Sequence, residues 1–273
     1  MKTDPYTSSN PRRDAIHPPL SDKTVAIVGL GGAADIALDL LKSGMTRFRL
    51  FDPDALESGN LVRHACGSRY VGKNKAIATK LLLEEYAGRK LPDAVAVPKS
   101  VFDAEADFAA SVRMSDLVVV GTDTDSSRAY ANDLVVEFGK KAVFVSMFEN
   151  GCGGEIFAYR PGNCCYGCLM RHQERSEFLI RFEARGAKSD CSSSRDVRGM
   201  PGLGTDQRFL SAIASRISLD LLLEGSRHSL PPIGANWVVF SVSGISEILE
   251  HPLSSLRFEI SKHPDCPCAK NVS

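Results

Sequence analysis

No run of apolar residues in this 273-residue sequence is long enough to span a bilayer, and residues 1–22 contain no apolar segment of the kind a secretory signal needs. Neither charge is in excess, because 33 lysine and arginine residues balance 33 aspartate and glutamate residues. Net charge therefore predicts no attraction to nucleic acid or to a membrane surface. We expect a cytoplasmic protein that binds neither.

The first 22 residues have little apolar content. Four prolines lie among them: Pro5, Pro11, Pro18 and Pro19. This composition predicts a flexible N-terminal arm over residues 1–22. The chain as a whole is 43% hydrophobic, which suffices for a sizeable core. We expect residues 23–273 to form a single domain.

Strand and helix patterns alternate in the first half of the chain. Thr24–Gly29 is a continuous apolar run, typical of a strand buried on both faces of a parallel sheet. Further segments predicted in chain order are helix 36–41, strand 47–51, helix 73–86, strands 94–101 and 116–121, helix 128–138 and strand 142–147. The alternation predicts an α/β fold with a Rossmann-like, mostly parallel sheet and helices on both faces.

The pattern changes after Met147. Strands are predicted over 155–160, 237–242 and 256–260, and a helix over 206–223. Residues from about 175 to 203 include a stretch rich in Gly, Ser, Arg and Asp, which predicts a long crossing loop. We expect this part of the chain to form a mainly β C-terminal extension.

A glycine-rich turn, Gly29-Leu-Gly31-Gly32-Ala-Ala34, joins the first strand to the first helix. Glycines let the backbone approach a phosphate closely, and the helix N-terminus offers N–H groups to an anion. Asp52, with Asp54 beside it, ends the second strand, where a carboxylate can bond ribose hydroxyls. NAD and ATP fit these features equally. A turn without a ligand and a solvated or capping aspartate remain alternatives.

Two cations and an amide follow the ribose acid. Asn60, Arg63 and Lys75 suit a triphosphate, since arginine binds phosphate oxygens as a fork and lysine acts as a point charge. Taken singly, either cation fits a solvated surface. Asp123, after the strand that ends at Gly121, is predicted to hold Mg²⁺ against the phosphates. The alternative for Asp123 is a helix N-cap.

The eight cysteines predict metal or thiol chemistry rather than disulfides in a cytoplasmic protein. Two close pairs, Cys165 with Cys168 and Cys266 with Cys268, suit a structural Zn²⁺ that joins the C-terminal tail to the middle of the chain. The second pair is one residue tighter than usual, and Cys164 is an alternative ligand in the first.

Cys191 lies outside both pairs, in the predicted crossing loop. Arg185, Lys188 and Arg195 flank it and favour the thiolate form, so a nucleophilic role is one interpretation. An unreactive loop cysteine is the other.

The order of these motifs resembles the ThiF/MoeB/ubiquitin-activating family of adenylyltransferases. The resemblance covers about residues 23–268 and rests on six motifs: Gly29 to Ala34, Asp52-Pro-Asp54, Asn60-Leu-Val-Arg63, Gly72-Lys-Asn-Lys75, Gly121-Thr-Asp123, and the split cysteine pairs. The sequence departs from the family at Ala34, where the turn usually has a third glycine, and at Thr124, where Asn is frequent.

The resemblance implies a reaction. ATP and Mg²⁺ bind, and the C-terminal glycine carboxylate of a ubiquitin-like or sulfur-carrier protein attacks the α-phosphate, giving an acyl-adenylate and pyrophosphate. By motif position, Asp52 would hold the ribose, the Asn60, Arg63 and Lys75 group would hold the phosphates, and Asp123 would hold Mg²⁺. Positioning and charge neutralisation would then drive an in-line displacement.

It also implies partners. Many members pass the acyl group to a loop cysteine, for which Cys191 is the candidate, and most are homodimers, in some of which an N-terminal arginine such as Arg12 or Arg13 enters the partner's site. Two segments, Asn60-Leu-Val-Arg63-His64 and Met200-Pro-Gly-Leu203, resemble bacterial members found beside ubiquitin-like and conjugating-enzyme genes more than the thiamin or molybdopterin sulfur-carrier enzymes. An NAD-dependent oxidoreductase and a non-catalytic partner subunit are the alternatives. The second predicts loss of Arg63, Lys75 or Asp123, and all three are present.

Overall fold

The computed structural model describes residues 10–148, 151, 153–173, 175, 203–242, 249 and 251–270. Within them, eight strands form one sheet in the order β3-β2-β1-β4-β5-β6-β7-β8. The strands are β1 Thr24–Val28, β2 Arg47–Phe51, β3 Ala94–Val97, β4 Leu117–Val120, β5 Lys141–Met147, β6 Gly153–Tyr159, β7 Trp237–Ser241 and β8 Ser255–Phe258. Strands β1 to β5 pair in parallel, and β6, β7 and β8 add antiparallel.

Helices flank the sheet. They are α1 Pro11–Asp14, α2 Ala33–Lys42, α3 Lys75–Ala87, α4 Glu105–Met114, α5 Asp125–Glu137, α6 Tyr166–Arg171, α7 Gly204–Leu223 and α8 Pro267–Lys270, with short 3₁₀ helices at Ser58–Val62 and Ser68–Tyr70. In the described part of the chain, no helix is both long and apolar enough to cross a membrane.

Strand β1 shows why the sheet is buried on both faces. Its side chains alternate, so Val25 and Ile27 join the core under α2, α3 and α7, whereas Ala26 and Val28 join the core under α4, α5 and α6. A continuous apolar run is therefore what this position requires. The predicted Rossmann-like sheet with helices on both faces is confirmed.

The strand order reverses beside β1, because β2 lies on one side of it and β4 on the other. The chain leaves β1 and β4 in opposite directions across the sheet, which opens a crevice at their carboxyl ends. Ligands of open α/β sheets bind at such a point.

The C-terminal strands differ from the prediction in one respect. Rather than forming an extension of their own, β6 to β8 continue the same sheet from the edge of β5, and the 20-residue helix α7 packs on that sheet. The strand predicted over 94–101 ends at Val97, since Pro98 has no N–H to donate to a neighbour. Helix α4 was not predicted.

The predicted N-terminal arm is described from residue 10 onward. Pro11–Asp14 forms a helical turn capped by Asn10, whose side-chain oxygen accepts the Arg12 N–H at 3.1 Å. Leu20 is 3% exposed and belongs to the main core. The arm and the single domain over residues 23–273 stay predictions.

Candidate nucleotide-binding site

A cavity of about 780 Å³ lies at the carboxyl ends of β1, β2, β4 and β5. Nine residues that the sequence predicts for a nucleotide site line it: Gly29, Gly31, Gly32, Asp52, Asp54, Asn60, Arg63, Lys75 and Asp123. The crevice at the strand-order reversal therefore gathers motifs that are spread over almost 100 residues of sequence.

The glycine turn packs tightly on one side and is open on the other. Gly29 has φ +76°, and a Cβ there would lie 2.7 Å from the Thr122 nitrogen. Gly32 packs against the Gln207 side chain with no room for a Cβ, whereas a Cβ on Gly31 would meet no atom within 4 Å. The turn thus holds the start of α2 at the cavity, where its unpaired N–H groups suit an anion.

The Asp52 side chain accepts a hydrogen bond from the backbone of this turn. It is 4% exposed, its Oδ2 accepts the Leu30 N–H at 2.6 Å, and its Oδ1 accepts the Asp54 N–H at 2.9 Å. Burial raises the pKa of the Asp52 carboxyl, against the lowering effect of these two hydrogen bonds and of Lys75. The alternative of a solvated turn aspartate is therefore excluded.

Lys75 begins α3, and its side chain is 15% exposed. Its Nζ lies 2.9 Å from Asp54 Oδ2, and its backbone N–H donates to the Asp54 carbonyl at 2.8 Å. Asn60 lies in a 3₁₀ helix where it forms a reciprocal capping box with Glu57, and Arg63 ends that helix. Two cations and an amide therefore line the cavity.

Asp123 is exposed and follows Gly121 and Thr122. Helix α5 begins at Asp125 with Thr124 as the N-cap residue, so the N-cap alternative for Asp123 is not what forms. Among the described residues, none forms a hydrogen bond or ion pair with the Asp123 carboxylate. A hard cation prefers oxygen ligands of this kind.

Several cavity residues were not predicted as part of the site. Arg128 donates from Nε to the Thr122 carbonyl at 2.9 Å and from Nη2 to Ser146 Oγ at 3.0 Å, which ties the end of β4 to β5. Its place early in the helix after Gly121 is a signal that could have found it. His64, Lys99 and Gln207 also line the cavity. Gln207 comes from α7, and no local pattern connects it with the glycine turn.

The four paired cysteines meet in a second cluster, at the start of α6 and in the C-terminal tail. Their Sγ atoms lie within 4.8 Å of one another. The Sγ–Sγ distances are 3.9 Å for Cys165 and Cys168, 3.5 Å for Cys165 and Cys266, 3.3 Å for Cys168 and Cys268, and 3.4 Å for Cys266 and Cys268. A tetrahedral zinc with four thiolates requires about 3.8 Å between sulfurs, so the donor set fits that ion.

Cys164 is not one of these four sulfurs, and its Sγ contacts the Cys165 carbonyl at 3.6 Å. Burial raises the pKa of the Cys165 thiol to about 11 and also raises that of Cys268. Burial acts the same way on Cys168, but hydrogen bonds from the His263 backbone and from neighbouring thiols lower its pKa to about 7. Four buried thiols at this spacing are costly to ionise unless a cation compensates them.

The predicted acyl acceptor Cys191 lies outside the described residues, as does most of the predicted crossing loop over 175–203. Arg175, at the start of that range, is 9% exposed and donates from Nη2 to Glu155 Oε1 at 2.6 Å. At the N-terminus, Arg12 is exposed, and Arg13 pairs with Asp14 at 2.8 Å.

The chain is similar to several known proteins. An uncharacterised protein of Sinorhizobium fredii is 26% identical over 270 residues, which cover 91% of this chain and 44% of that protein. The ATP-dependent ubiquitin transferase-like protein Cap2 of Vibrio cholerae is 25% identical over 227 residues, covering 78% of this chain and 36% of Cap2. The chain thus spans less than half the length of these two relatives.

Two further relatives come from Escherichia coli. Molybdopterin-synthase adenylyltransferase is 33% identical over 156 residues, covering 56% of this chain and 60% of that enzyme. A crystal structure of MccB with ATP has a TM-score of 0.65 at 16% identity, covering 94% of this chain and 68% of MccB, which shows a shared fold.

The fold and the cavity define a Rossmann-like α/β protein with a glycine-lined site at the reversal of strand order. Residues 15–249 match the ThiF family. The chain belongs to the ThiF family.

Proposed function

We propose that this chain is an ATP-dependent adenylyltransferase acting on the C-terminal glycine carboxylate of a ubiquitin-like or sulfur-carrier protein. The observation that carries the proposal is the convergence of the glycine turn, Arg63, Lys75 and Asp123 in one cavity. A nicotinamide dinucleotide has less need of two cations beside the turn. Membership of the ThiF family and the similarity to molybdopterin-synthase adenylyltransferase support ATP as the nucleotide.

In the proposed reaction, a carboxylate oxygen forms a bond to the α-phosphorus of ATP as the bond to the bridging oxygen breaks. Pyrophosphate leaves with that electron pair, and an acyl-adenylate remains. Asp52 orients the ribose and keeps the turn in place, while the Asn60, Arg63 and Lys75 group binds the phosphates and offsets their charge. Asp123 would hold Mg²⁺, which neutralises charge on the phosphate oxygens when bound.

The second step of the proposed reaction forms a thioester. The acyl group would move from the adenylate to the Cys191 thiolate, with release of AMP. The relative Cap2 is named as a ubiquitin transferase-like protein, which favours a thioester and a conjugating-enzyme partner over a sulfur-carrier pathway. A homodimer, with Arg12 or Arg13 reaching a second copy, belongs to the same proposal.

A short peptide is a second candidate for the acyl donor. The basis is the fold shared with MccB, of which one structure is described as a complex with N-formylated MccA. In that case the chemistry at the α-phosphate is unchanged, and only the surface that receives the donor differs.

The test is ATP–pyrophosphate exchange by the purified chain with a panel of ubiquitin-like proteins that end in glycine. We expect exchange with at least one of them, and none with the same protein lacking its last glycine. Tight binding of NAD with no exchange would overturn the proposal. For Cys191, an acyl adduct should appear on a non-reducing gel and be absent from Cys191→Ala. An adduct that persists in this variant would identify another acceptor.

A further inference from the structure

One residue of the glycine turn, Leu30, is hydrogen-bonded through both its backbone N–H and its backbone carbonyl. Leu30 is fully buried. Its N–H donates to Asp52 Oδ2 at 2.6 Å, and its carbonyl accepts from His64 Nε2 at 2.6 Å. Asp52 ends β2, and His64 follows the 3₁₀ helix Ser58–Val62. The turn is therefore connected to two other segments that line the cavity.

The second bond of His64 determines its protonation. The His64 Nδ1 atom lies 3.0 Å from the Cys66 backbone N–H. A backbone N–H can only donate and a carbonyl can only accept, so Nδ1 carries no proton and Nε2 carries one. Both ring nitrogens are thus engaged by backbone, which leaves neither of them to bond a nucleotide.

The surroundings favour this neutral ring. Burial lowers the pKa of the His64 imidazole, and the nearby cations Lys75 and Arg63 lower it further, although the bond to Leu30 raises it. Asp52 is the acidic group that bonds the Leu30 N–H, and each of its carboxylate oxygens accepts one backbone N–H.

His64 also belongs to the segment that carries two predicted phosphate ligands. The His64 and Arg63 N–H groups both donate to the Asn60 carbonyl, at 2.9 and 3.0 Å. A change in the distance between His64 and Leu30 therefore moves Asn60 and Arg63 relative to the turn.

We propose that His64 is a positioning residue, which holds the loop bearing Asn60 and Arg63 in register with the glycine turn. The proposal rests on the proposed function, since a triphosphate between these two segments is what makes their separation matter. His64 then contributes to catalysis through the groups it places and not through contact with the reacting atoms.

The first experiment does not depend on activity. The imidazole nitrogens of the free, ¹⁵N-labelled protein are observed by long-range NMR correlation, and the His64 resonances are assigned by their loss in His64→Gln. The chain has six histidines, so five sets should remain. We expect His64 in the neutral Nε2–H form at neutral pH. A charged ring or the Nδ1–H form at neutral pH would overturn the proposal.

The second experiment compares two variants. His64→Phe fills a similar volume without donor or acceptor, whereas the amide of His64→Gln can donate to Leu30 and accept from Cys66. Loss of the bridging bonds should raise KM for ATP and lower kcat/KM in pyrophosphate exchange by about tenfold. The Gln variant should recover most of this loss, and His251→Gln, at an exposed histidine, should match the wild type.

Equal losses in the Phe and Gln variants, or none in the Phe variant, would contradict a positioning role. If none of the partner proteins supports pyrophosphate exchange by the wild-type chain, that result contradicts the proposed adenylation activity but leaves the positioning role of His64 to be tested by binding. The same ranking is then measured as affinity for a fluorescent ATP analogue. A ranking of wild type and Gln above Phe supports the proposal, and equal affinities overturn it.

Discussion

The ion pair between Lys75 and Asp54 at the cavity leaves the Lys75 ammonium available to bind a phosphate. Lys75 is largely covered, but its partner Asp54 has a side chain that is 64% exposed. A pair of this kind adds little to stability, because solvent screens it. The Lys75 ammonium can therefore move from Asp54 to a phosphate at small cost.

Lys75→Ala should therefore weaken ATP binding far more than it weakens the fold. We expect affinity for ATP to fall about 10- to 100-fold, the loss of one charged contact to phosphate, and the free energy of unfolding to change by less than about 1 kcal/mol. Lys73→Ala, an exposed lysine just before α3, is the matched control. Calorimetric titration and urea unfolding measure the two quantities. Equal binding losses in both variants would contradict a specific role for Lys75.

Asp35, in the first turn of α2, is a half-buried carboxyl group. Burial raises its pKa to about 6, Asp39 adds to the rise, and Arg208 and Lys42 oppose it. Within the described residues, its Oδ2 atom is buried and has no hydrogen-bond partner. The ionised carboxylate is therefore a cost to the folded chain.

The sign of the pH dependence follows from this pKa. The folded chain holds the Asp35 proton more tightly than the unfolded chain, so its stability falls as pH rises from the usual aspartate value to about 6. Asp35→Asn should be more stable than the wild type by about 1–2 kcal/mol at pH 8, and by much less near pH 4. Urea unfolding at the two pH values tests this. Asp107→Asn, exposed in the first turn of α4, should show no such gain, and a gain equal to that of Asp35→Asn would refute the explanation.

Among the elements, the turn between β1 and α2 has two glycines with different tasks. At Gly29 the backbone is left-handed and touches the turn after β4, whereas Gly31 faces open space. The first glycine serves the packing of two strands, and the second leaves room for a ligand.

Gly29→Ala should accordingly lower stability, whereas Gly31→Ala should weaken ATP binding. We expect the first to cost about 2 kcal/mol or more in unfolding free energy, from the strained φ and the contact with Thr122. The second should leave unfolding nearly unchanged and weaken ATP binding, because its methyl group enters the cavity. Chemical denaturation and calorimetric titration of both variants separate the two effects. The reverse assignment, with Gly31→Ala the less stable, would show that the glycines have other roles.

The elements that the sequence predicts well are those whose pattern reflects their own burial. The continuous apolar run of β1 and the stripe of α2 are predicted to within a few residues, since each is buried in a way that its local sequence requires. Helix α4 is missed because few large apolar residues mark it, with Phe108 and Val112 buried among alanine and charged neighbours. Strand β6 folds back on β5 through a short connection, but the pairing of β7 with β6 joins segments far apart in sequence, and no local pattern encodes it.

The same limit applies to the site. Residues next to a strand end, such as Asp52 and Asp123, are predictable because parallel strands end at one edge of the sheet. The bond from His64 to the turn, and the packing of Gln207 on Gly32, depend on how whole elements come together.

For the molecule as a whole, the cysteine cluster connects the end of the described chain to its middle. Cys168 and Cys268 are 100 residues apart in sequence, and α7, β7 and β8 lie between them. A metal held there would bind only the folded chain and would stabilise it by mass action.

Purified protein should contain about one zinc per chain, and Cys266→Ser should lose it. We expect this loss to lower the midpoint of thermal unfolding by about 5–10 °C, because three buried thiols remain without a cation. Cys164→Ser should keep the metal, since Cys164 is not one of the four sulfurs that lie within 4.8 Å of one another. Metal analysis and thermal unfolding test both variants, and a stable wild-type protein free of metal would contradict the assignment.

The position of α7 bears on the order in which the site is completed during synthesis. Apart from Gln207 and Leu210, every described residue that lines the cavity precedes residue 148. Strands β1 to β5 can pair from segments already emerged, but the Gln207 side chain reaches Gly32 only after α7 has been made and docked. A nascent chain stalled before residue 204 would lack the part of the cavity wall that α7 supplies. Nucleotide binding by ribosome-bound chains of increasing length would therefore show when α7 docks.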